Sequence, residues 1–488
     1  MILRNAFWNL LGLGLPLLVA VVCIPPLIAS LGASRFGVLT LVWAVVSYFG
    51  VFDLGLGRAL TQQVSAAIGA GRADEMCEIA AAGLWVMVAL GAIAGAALWF
   101  AAPAGVALLK SDADPHEAID AARALAWAMP FVVLASGLRG VMEAHSAFVP
   151  INVVRLATGV LTFAVPLAAV RSGWNDLAAI AWMLACVRAV GCALYAGFVA
   201  RLLPGALAPV RPDGARIREL ATQGGWMTVT NVVGPLMGYL DRFVIGAVLS
   251  LSAVAWYVTP QEIVSRLLIV PGALTSVLFP RLSEIHASGA SAQEGRRIER
   301  LALGALFLAL FPATLLLGLL AYPVLDLWIG PVFAREGATA MLVLCAGVLF
   351  NSLAQVPFAA IQARGGARTT ALLHLAELPL FVVAVWLFTA RWGVAGAALA
   401  WTLRMGLDLG ALLLIARWHA GGSARLADRI SALRIGLPAI GAFVVAATAS
   451  ADARWVGALA LGATAWAVAA WHLRGDAVLM LGRLRSRV

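Results

Sequence analysis

Fourteen ionisable side chains fall within stretches apolar enough to cross a bilayer: Asp53, Arg58, Arg139, Glu143, Arg155, Arg188, Asp241, Arg242, Glu262, Arg266, His374, Glu377, Arg404 and Asp408. A charge at mid-bilayer costs about 2.5 kcal/mol or more even on insertion scales, so each is a functional candidate by default. Seven arginines stand against six carboxylates, which leaves +1 when His374 is neutral. Spacing sorts them. Arg139/Glu143, Glu262/Arg266 and Arg404/Asp408 are i,i+4 pairs and His374/Glu377 is i,i+3, so each pair shares one helix face. Two readings stand: self-neutralised pairs that ease insertion and lock helices, or gate pairs that open and re-form between two states. Glu262 and Arg266, near mid-span, are the stronger gate candidates. Glu377 is also a candidate carrier of a coupling proton, because a carboxyl group in an apolar setting can shed its charge by binding one.

Arg58, Arg155 and Arg188 have no carboxylate three or four residues away. Arg58 and Arg155 lie near predicted span ends, where they either snorkel to the interface or meet a ligand. Arg188 is mid-span and has to find a carboxylate on another helix, a water-filled cavity or an anion. Guanidinium groups bind phosphate oxygens bidentately, so a diphosphate is a fitting anion. Arg242 follows Asp241, and neighbours on a helix point apart, so Arg242 can face a cavity while Asp241 pairs elsewhere. The order of preference for substrate binding is Arg188 and Arg242, then Arg58, Arg155 and Arg266. Gly55 and Gly57 suit close helix packing, and Pro235, Pro260, Pro271 and Pro280 suit kinked or broken spans.

No P-loop, G-x-S-x-G or H-E-x-x-H string occurs, so neither ATP hydrolysis nor covalent catalysis has a sequence basis. The expectation is a protein that is not an enzyme and needs no cofactor. The five cysteines are scattered through apolar runs with no C-x-x-C or Cys/His cluster, so neither a disulfide framework nor a metal site is expected.

The elements that position these charges follow from composition. Of 488 residues, 62% are hydrophobic and 12% charged, and the mean hydropathy is +0.95. Soluble domains carry roughly twice that charge, which excludes a soluble multidomain enzyme, a disordered chain and a disulfide-rich secreted module; no nucleic-acid partner is expected. Spans of ~20 residues are predicted near 6–31, 37–63, 77–102, 121–143, 148–170, 174–200, 222–249, 254–280, 301–325, 338–362, 369–390, 393–417, 432–450 and 455–472. The fold class is therefore all-α and polytopic, with about fourteen transmembrane helices and twelve as the alternative. The run from Ala6 to Leu31 is longer than a signal-peptide core and reads as a first span. Alternate connections hold 20 and 7 Lys/Arg, and the richer side is cytoplasmic. Both termini are then cytoplasmic, and the acidic 110–120 loop faces out.

Shifting the chain by 218 residues lays the stretch 29–34 on 247–252 and 60–65 on 278–283. The shift covers six spans, an even number, so the two halves share one orientation and are related by an axis along the membrane normal. The expected organisation is an N-terminal six-helix lobe (1–201), a cytoplasmic linker (202–218), a second six-helix lobe (219–420), then two extra helices and a basic tail (421–488). The lobes are expected to rock around a central cavity.

Five stretches in order carry a family resemblance: Phe52–Leu60 (FDLGLGRAL), Asp241–Gly246 (DRFVIG), Tyr257–Arg266 (YVTPQEIVSR) with Ile269–Leu274 and Leu278–Ser283, Leu375–Leu380 (LAELPL), and Gly393–Arg404 (GVAGAALAWTLR). Over roughly residues 5–417 the chain resembles the bacterial oligosaccharide flippases of the O-antigen and exopolysaccharide type, within the multidrug/oligosaccharidyl-lipid/polysaccharide exporter superfamily. The resemblance implies a V-shaped transporter of the inner membrane. It would move an undecaprenyl-diphosphate-linked oligosaccharide from the cytoplasmic to the periplasmic leaflet by alternating access, driven by a proton or sodium gradient. It also implies a polysaccharide polymerase and a chain-length regulator as partners. Two alternatives share the fold, a drug antiporter and a transporter of the peptidoglycan lipid precursor. A drug antiporter should show unpaired carboxylates, whereas the unpaired mid-span charge here is Arg188. A third alternative, a membrane-embedded glycosyltransferase or polymerase, should show a large outer loop, and the longest outward connection predicted here is 103–120.

Overall fold

The structure is a computed structural model that describes residues 2–49, 56–69, 72–109, 114–145, 147–207, 237–287, 292–419, 426–449 and 451–485. Among these residues there is no strand. The chain is a series of helices: α1 (Ile2–Phe49), α2 (Leu56–Gly69), α3 (Ala73–Ala107), α4 (Pro115–Ala144), α5 (Phe148–Arg171), α6 (Leu177–Leu202) and α7 (237–248). There follow α8 (Leu251–Ser265), α9 (Ile269–Ala287), α10 (Ala292–Leu319), α11 (Ala321–Trp328), α12 (Pro331–Ala363), α13 (Ala367–His419), α14 (Leu426–Thr448) and α15 (Ala451–Arg485). Among the described residues, nine helical stretches are long and apolar enough to cross a membrane. Two of the helices, α1 and α13, are long enough to hold a pair of spans each. The 53 residues of α13 would run about 80 Å at 1.5 Å per residue, far beyond a ~30 Å hydrocarbon layer. It breaks at Trp392 and Gly393, where Gly393 takes φ 61°. The 48-residue α1 breaks likewise at Gly32, with φ 76°, a conformation that costs glycine little.

Over the described residues each predicted span falls on a helix or a helix pair; 50–55 of the second and 222–236 of the seventh lie outside the described residues. Two predicted spans are broken rather than continuous. The span expected at 254–280 is interrupted by a 3-10 turn, Arg266–Leu268, between α8 and α9. Pro271 has no N–H for the carbonyl of residue 267, which removes an α-helical bond at that point. The span expected at 301–325 turns at Leu320 into the short α11.

The helix breaks obey the 218-residue shift. Gly32 falls on 250, in the turn at 249–250 that follows α7. The connection between α2 and α3 falls on that between α9 and α10. The α3–α4 connection falls on Ile329–Gly330, the α4–α5 connection on Arg364–Gly366, and the α5–α6 connection on Trp392–Gly393. A repeat that is faint in residue identity is plain in punctuation.

The described residues divide into two compact units, Met1–Ala255 and Trp256–Val488. In the first, α4 is the central helix, packed by α2, α3 and α6. In the second, α12 is central, packed by α9, α10, α11 and α13. These two helices are repeat equivalents, and 61% of the best apolar stretch of each is buried. Close backbone approach serves both units. A Cβ at Gly140 of α4 would stand 2.5 Å from the Gly57 carbonyl oxygen of α2, so the packing role expected of Gly57 is realised. Acidic N-caps begin α4 and α6. Asp114 accepts the His116 amide, and Asp176 accepts those of Ala178 and Ala179, satisfying donors that a helix start leaves open. In the second unit α15 packs along α10, with Trp466 Nε1 donating to the Leu308 carbonyl at 3.0 Å.

Candidate functional site: buried charge clusters in each unit

In the first unit α5 and α6 form an antiparallel seam read by three contacts. The Tyr195 hydroxyl donates to the Ile151 carbonyl at 3.2 Å. Gly191 abuts Thr158 so closely that a Cβ there would lie 2.7 Å from its methyl carbon. Arg188 Nη2 donates to Thr162 Oγ1 at 3.0 Å. On α5 the positions 151, 155, 158 and 162 are one stripe at helical spacing, and on α6 so are 188, 191 and 195. Arg155 therefore shares the α5 stripe that faces α6.

The hydroxyls of the stripe are oriented. Thr162 donates its own proton to the Thr158 carbonyl at 2.7 Å, which leaves an oxygen lone pair for Arg188. Arg139, Arg155, Arg188 and Glu143 all lie within electrostatic reach of the Tyr195 phenol, and Arg139 acts in turn on Arg188. Among the described residues, three guanidinium groups thus gather at the junction of α4, α5 and α6 against one carboxylate, that of Glu143. None of the three arginines forms an ion pair among the described residues. Arg188 lies fourteen residues before Leu202, about 20 Å along the helix, and so at mid-depth.

The second unit is arranged the other way, with cations and anions matched across a hairpin. Arg404 Nε meets Glu377 Oε2 at 3.4 Å, and His374 Nε2 lies 3.7 Å from Asp408 Oδ1. All four side chains are between 10% and 13% exposed. Spacing predicted Arg404 with Asp408 and His374 with Glu377, each along its own helix. Both contacts instead join the two halves of α13. The physical reason is the break at Trp392–Gly393, which folds residues 374–377 back against 404–408. Aromatic rings complete the cluster. His374 stacks on Phe358 of α12 with centroids 5.8 Å apart, and the Arg404 guanidinium lies 5.3 Å from the Phe381 ring centre.

Other candidates are placed separately. Glu262 and Arg266 do pair, at 2.6 Å, where α8 gives way to the 3-10 turn. Arg139 and Glu143 form no ion pair with each other. Glu143 is exposed at the end of α4 while Arg139 is turned toward the Tyr195 cluster. Asp241 and Arg242 are buried in α7; Asp241 Oδ1 accepts the Arg242 amide at 2.8 Å, and the guanidinium lies 4.8 Å from the Tyr239 ring centre. Asp53 and the side chain of Arg58 lie outside the described residues. Sequence reasoning missed Tyr195, Thr162, Phe358 and Phe381. Tyr195 had a signal, since it stands seven residues after Arg188 on the same helix face.

The comparisons with known proteins agree in kind. The family described as "Polysaccharide biosynthesis protein" matches residues 2–286. A Shigella flexneri protein named "Putative O-antigen transporter" is 30% identical over 414 residues, covering 85% of this chain and 96% of the relative. A Pseudomonas putida protein named "Probable multidrug resistance protein NorM" is 25% identical over 393 residues, covering 76% of this chain and 83% of the relative. Among solved structures, the inward-facing conformation of a multidrug resistance MATE family transporter of the MOP superfamily aligns with a TM-score of 0.71 at 13% identity. It covers 84% of this chain and 98% of that one, and at that identity the likeness concerns the fold.

Proposed function

From the premise that the chain belongs to the polysaccharide biosynthesis protein family, we propose that it is a flippase for a lipid-linked oligosaccharide. It carries an undecaprenyl-diphosphate-linked glycan from the cytoplasmic to the periplasmic leaflet of the bacterial inner membrane, by ion-coupled alternating access. The observation that carries the reading is Arg188: a guanidinium at mid-depth, held by the Thr162 hydroxyl, with Arg139 as its charged neighbour. Like charges close together in an apolar span repel strongly, so this junction is suited to receive an anion. A diphosphate supplies several acceptor oxygens in the geometry that guanidinium forks favour. Arg139 and Arg155, nearer the end of the seam assigned to the cytoplasm, would meet the diphosphate first, and Arg188 would take it at mid-bilayer.

The multidrug reading has the NorM relative in its favour. A cationic drug, however, would be repelled from a junction that, among the described residues, holds three arginines and one carboxylate. Charge reversal tests the two directly. Arg188→Glu is expected to abolish polysaccharide export in a strain lacking the native protein, with unchanged membrane levels. Wild-type export by that variant would remove Arg188 from the substrate path. A gain of resistance to cationic drugs by the unsubstituted protein would favour the second reading.

A further inference from the structure

The hairpin of α13 buries four ionisable groups whose charges do not cancel. Arg404 brings one positive charge, Glu377 and Asp408 bring two negative ones, and a neutral His374 brings none. The quartet is one positive charge short within a span, where an unbalanced charge is costly. The charged groups that act on Glu377 are Asp408, Arg404 and His374, all within the quartet. The helix packed against them, α12, presents Phe358 to the His374 ring and has no ionisable side chain between Cys345 and Arg364.

Unsatisfied atoms mark where the missing charge belongs. Glu377 Oε1, Asp408 Oδ1 and His374 Nδ1 are buried without a hydrogen-bond partner. Glu377 is 9% exposed and Asp408 7%. The 3.7 Å from His374 Nε2 to Asp408 Oδ1 is too long for a hydrogen bond. It is within ion-pair range once the ring carries a second proton.

We propose that this quartet binds a single proton, held by His374 with Asp408 as its counter-ion, and that loading and unloading this proton is the coupling step of transport. The inference rests on the transport reading above and gives its coupling ion and location. A metal cation fits the site less well, because Arg404 already stands against Glu377. Among the described residues no group of three or more His, Cys, Asp and Glu side chains could hold a metal ion. The proton adds to an imidazole nitrogen from solvent on one side and returns to solvent from that nitrogen on the other. The quartet also has a second pairing scheme. Its spacing allows His374 to serve Glu377 and Arg404 to serve Asp408, each along its own helix. The observed scheme ties the two halves of α13 together and the alternative releases them, which is the kind of two-state element that alternating access requires.

The test is histidine-labelled full-length protein in lipid nanodiscs, followed by nitrogen NMR. The His374 signal is assigned by its loss in His374→Gln. As the buffer is varied between about pH 5 and 8, the signal is expected to report a ring that gains and loses a second proton. That titration is expected to be lost in Asp408→Asn and to be insensitive to sodium chloride against a potassium chloride control. A ring that stays neutral across the range, or a sodium-dependent shift of its signal, would overturn the proposal. The sodium arm uses the unsubstituted protein, so it stands even where a variant fails to accumulate. Export separates the two readings. Normal export by His374→Gln and Asp408→Asn, with none by Arg188→Glu, sinks the proton site and leaves the flippase reading in place.

Discussion

Arg35 grips Glu117 through three contacts, Nε to Oε2 at 3.1 Å and Nη2 to both carboxylate oxygens at 2.8 Å, and Glu117 Oε1 also accepts the Leu177 amide at 2.7 Å. Arg35 follows the Gly32 break, Glu117 sits in the first turn of α4, and Leu177 opens α6. One carboxylate therefore fastens three helix ends on a single face of the first unit. The second unit has a comparable fastening at a different set of ends. Arg364 pairs with Glu299 of α10 at 2.7 Å and donates to the Ala416 carbonyl of α13 at 3.2 Å.

The shared carboxylate makes an asymmetric prediction. Glu117→Ala removes both the ion pair and the acceptor of the Leu177 amide at the start of α6, and should cost about 1–3 kcal/mol. Arg35→Ala should cost less. Its side chain is 38% exposed, which weakens the pair by solvent screening, and Glu117 keeps the Leu177 amide. Thermal unfolding of the purified variants in detergent checks the order. Equal losses would mean that the amide bond contributes nothing.

Much of this architecture was legible in the sequence, and the limits have physical causes. Hydropathy located the spans because a bilayer demands continuous apolar runs, and the span limits predicted at 31/37 and 390/393 fall at the Gly32 and Trp392–Gly393 breaks. The quartet was half legible. Residue types and depth singled out His374, Glu377, Arg404 and Asp408, but spacing along one helix cannot reveal partners brought across a hairpin. The Arg35–Glu117 tie was invisible for the same reason, since its residues are 82 positions apart and each looks like an ordinary charge at a span end.

Gly140 tests the close packing of α2 on α4. A Cβ there would meet the Gly57 carbonyl oxygen at 2.5 Å and Thr61 Oγ1 at 2.9 Å. The first obstacle is backbone, which cannot swing away. Gly140→Ala is expected to destabilise the protein by roughly 1–3 kcal/mol, the usual cost of overpacking. Gly197→Ala on α6 is the control. A Cβ at 197 meets nothing within 4 Å, so its effect should stay within about 0.5 kcal/mol. Similar melting temperatures for the two variants would refute the tight approach.

Glu262 and Arg266 pair at 2.6 Å where α8 passes into the 3-10 turn, with side chains 37% and 39% exposed. Such accessible pairs contribute at most about 1 kcal/mol to stability, so the prediction concerns transport. Arg266→Ala is expected to reduce export by removing the guanidinium that stands 2.6 Å from Glu262. Glu262→Gln combined with Arg266→Ala is expected to recover part of it. A double variant no better than the single one would show that the pairing is not what transport uses.

Arg188 offers the sharpest discrimination, because charge and shape can be varied separately there. Arg188→Lys keeps the positive charge at mid-depth but replaces a planar fork by a point donor. If the anion is held by two parallel N–H contacts, losing one charge-assisted bond should cost about 1.5 kcal/mol or more, roughly tenfold in export rate at limiting substrate. Thr162→Val should act in the same direction and more weakly. It removes the hydroxyl that positions the guanidinium at 3.0 Å but leaves the fork itself intact. The expected order of export is therefore wild type, Thr162→Val, Arg188→Lys, then Arg188→Glu, measured as surface polysaccharide at matched membrane levels. Full activity in Arg188→Lys would mean that the site reads charge alone. Full activity in Thr162→Val would mean that the guanidinium finds its place without that hydroxyl.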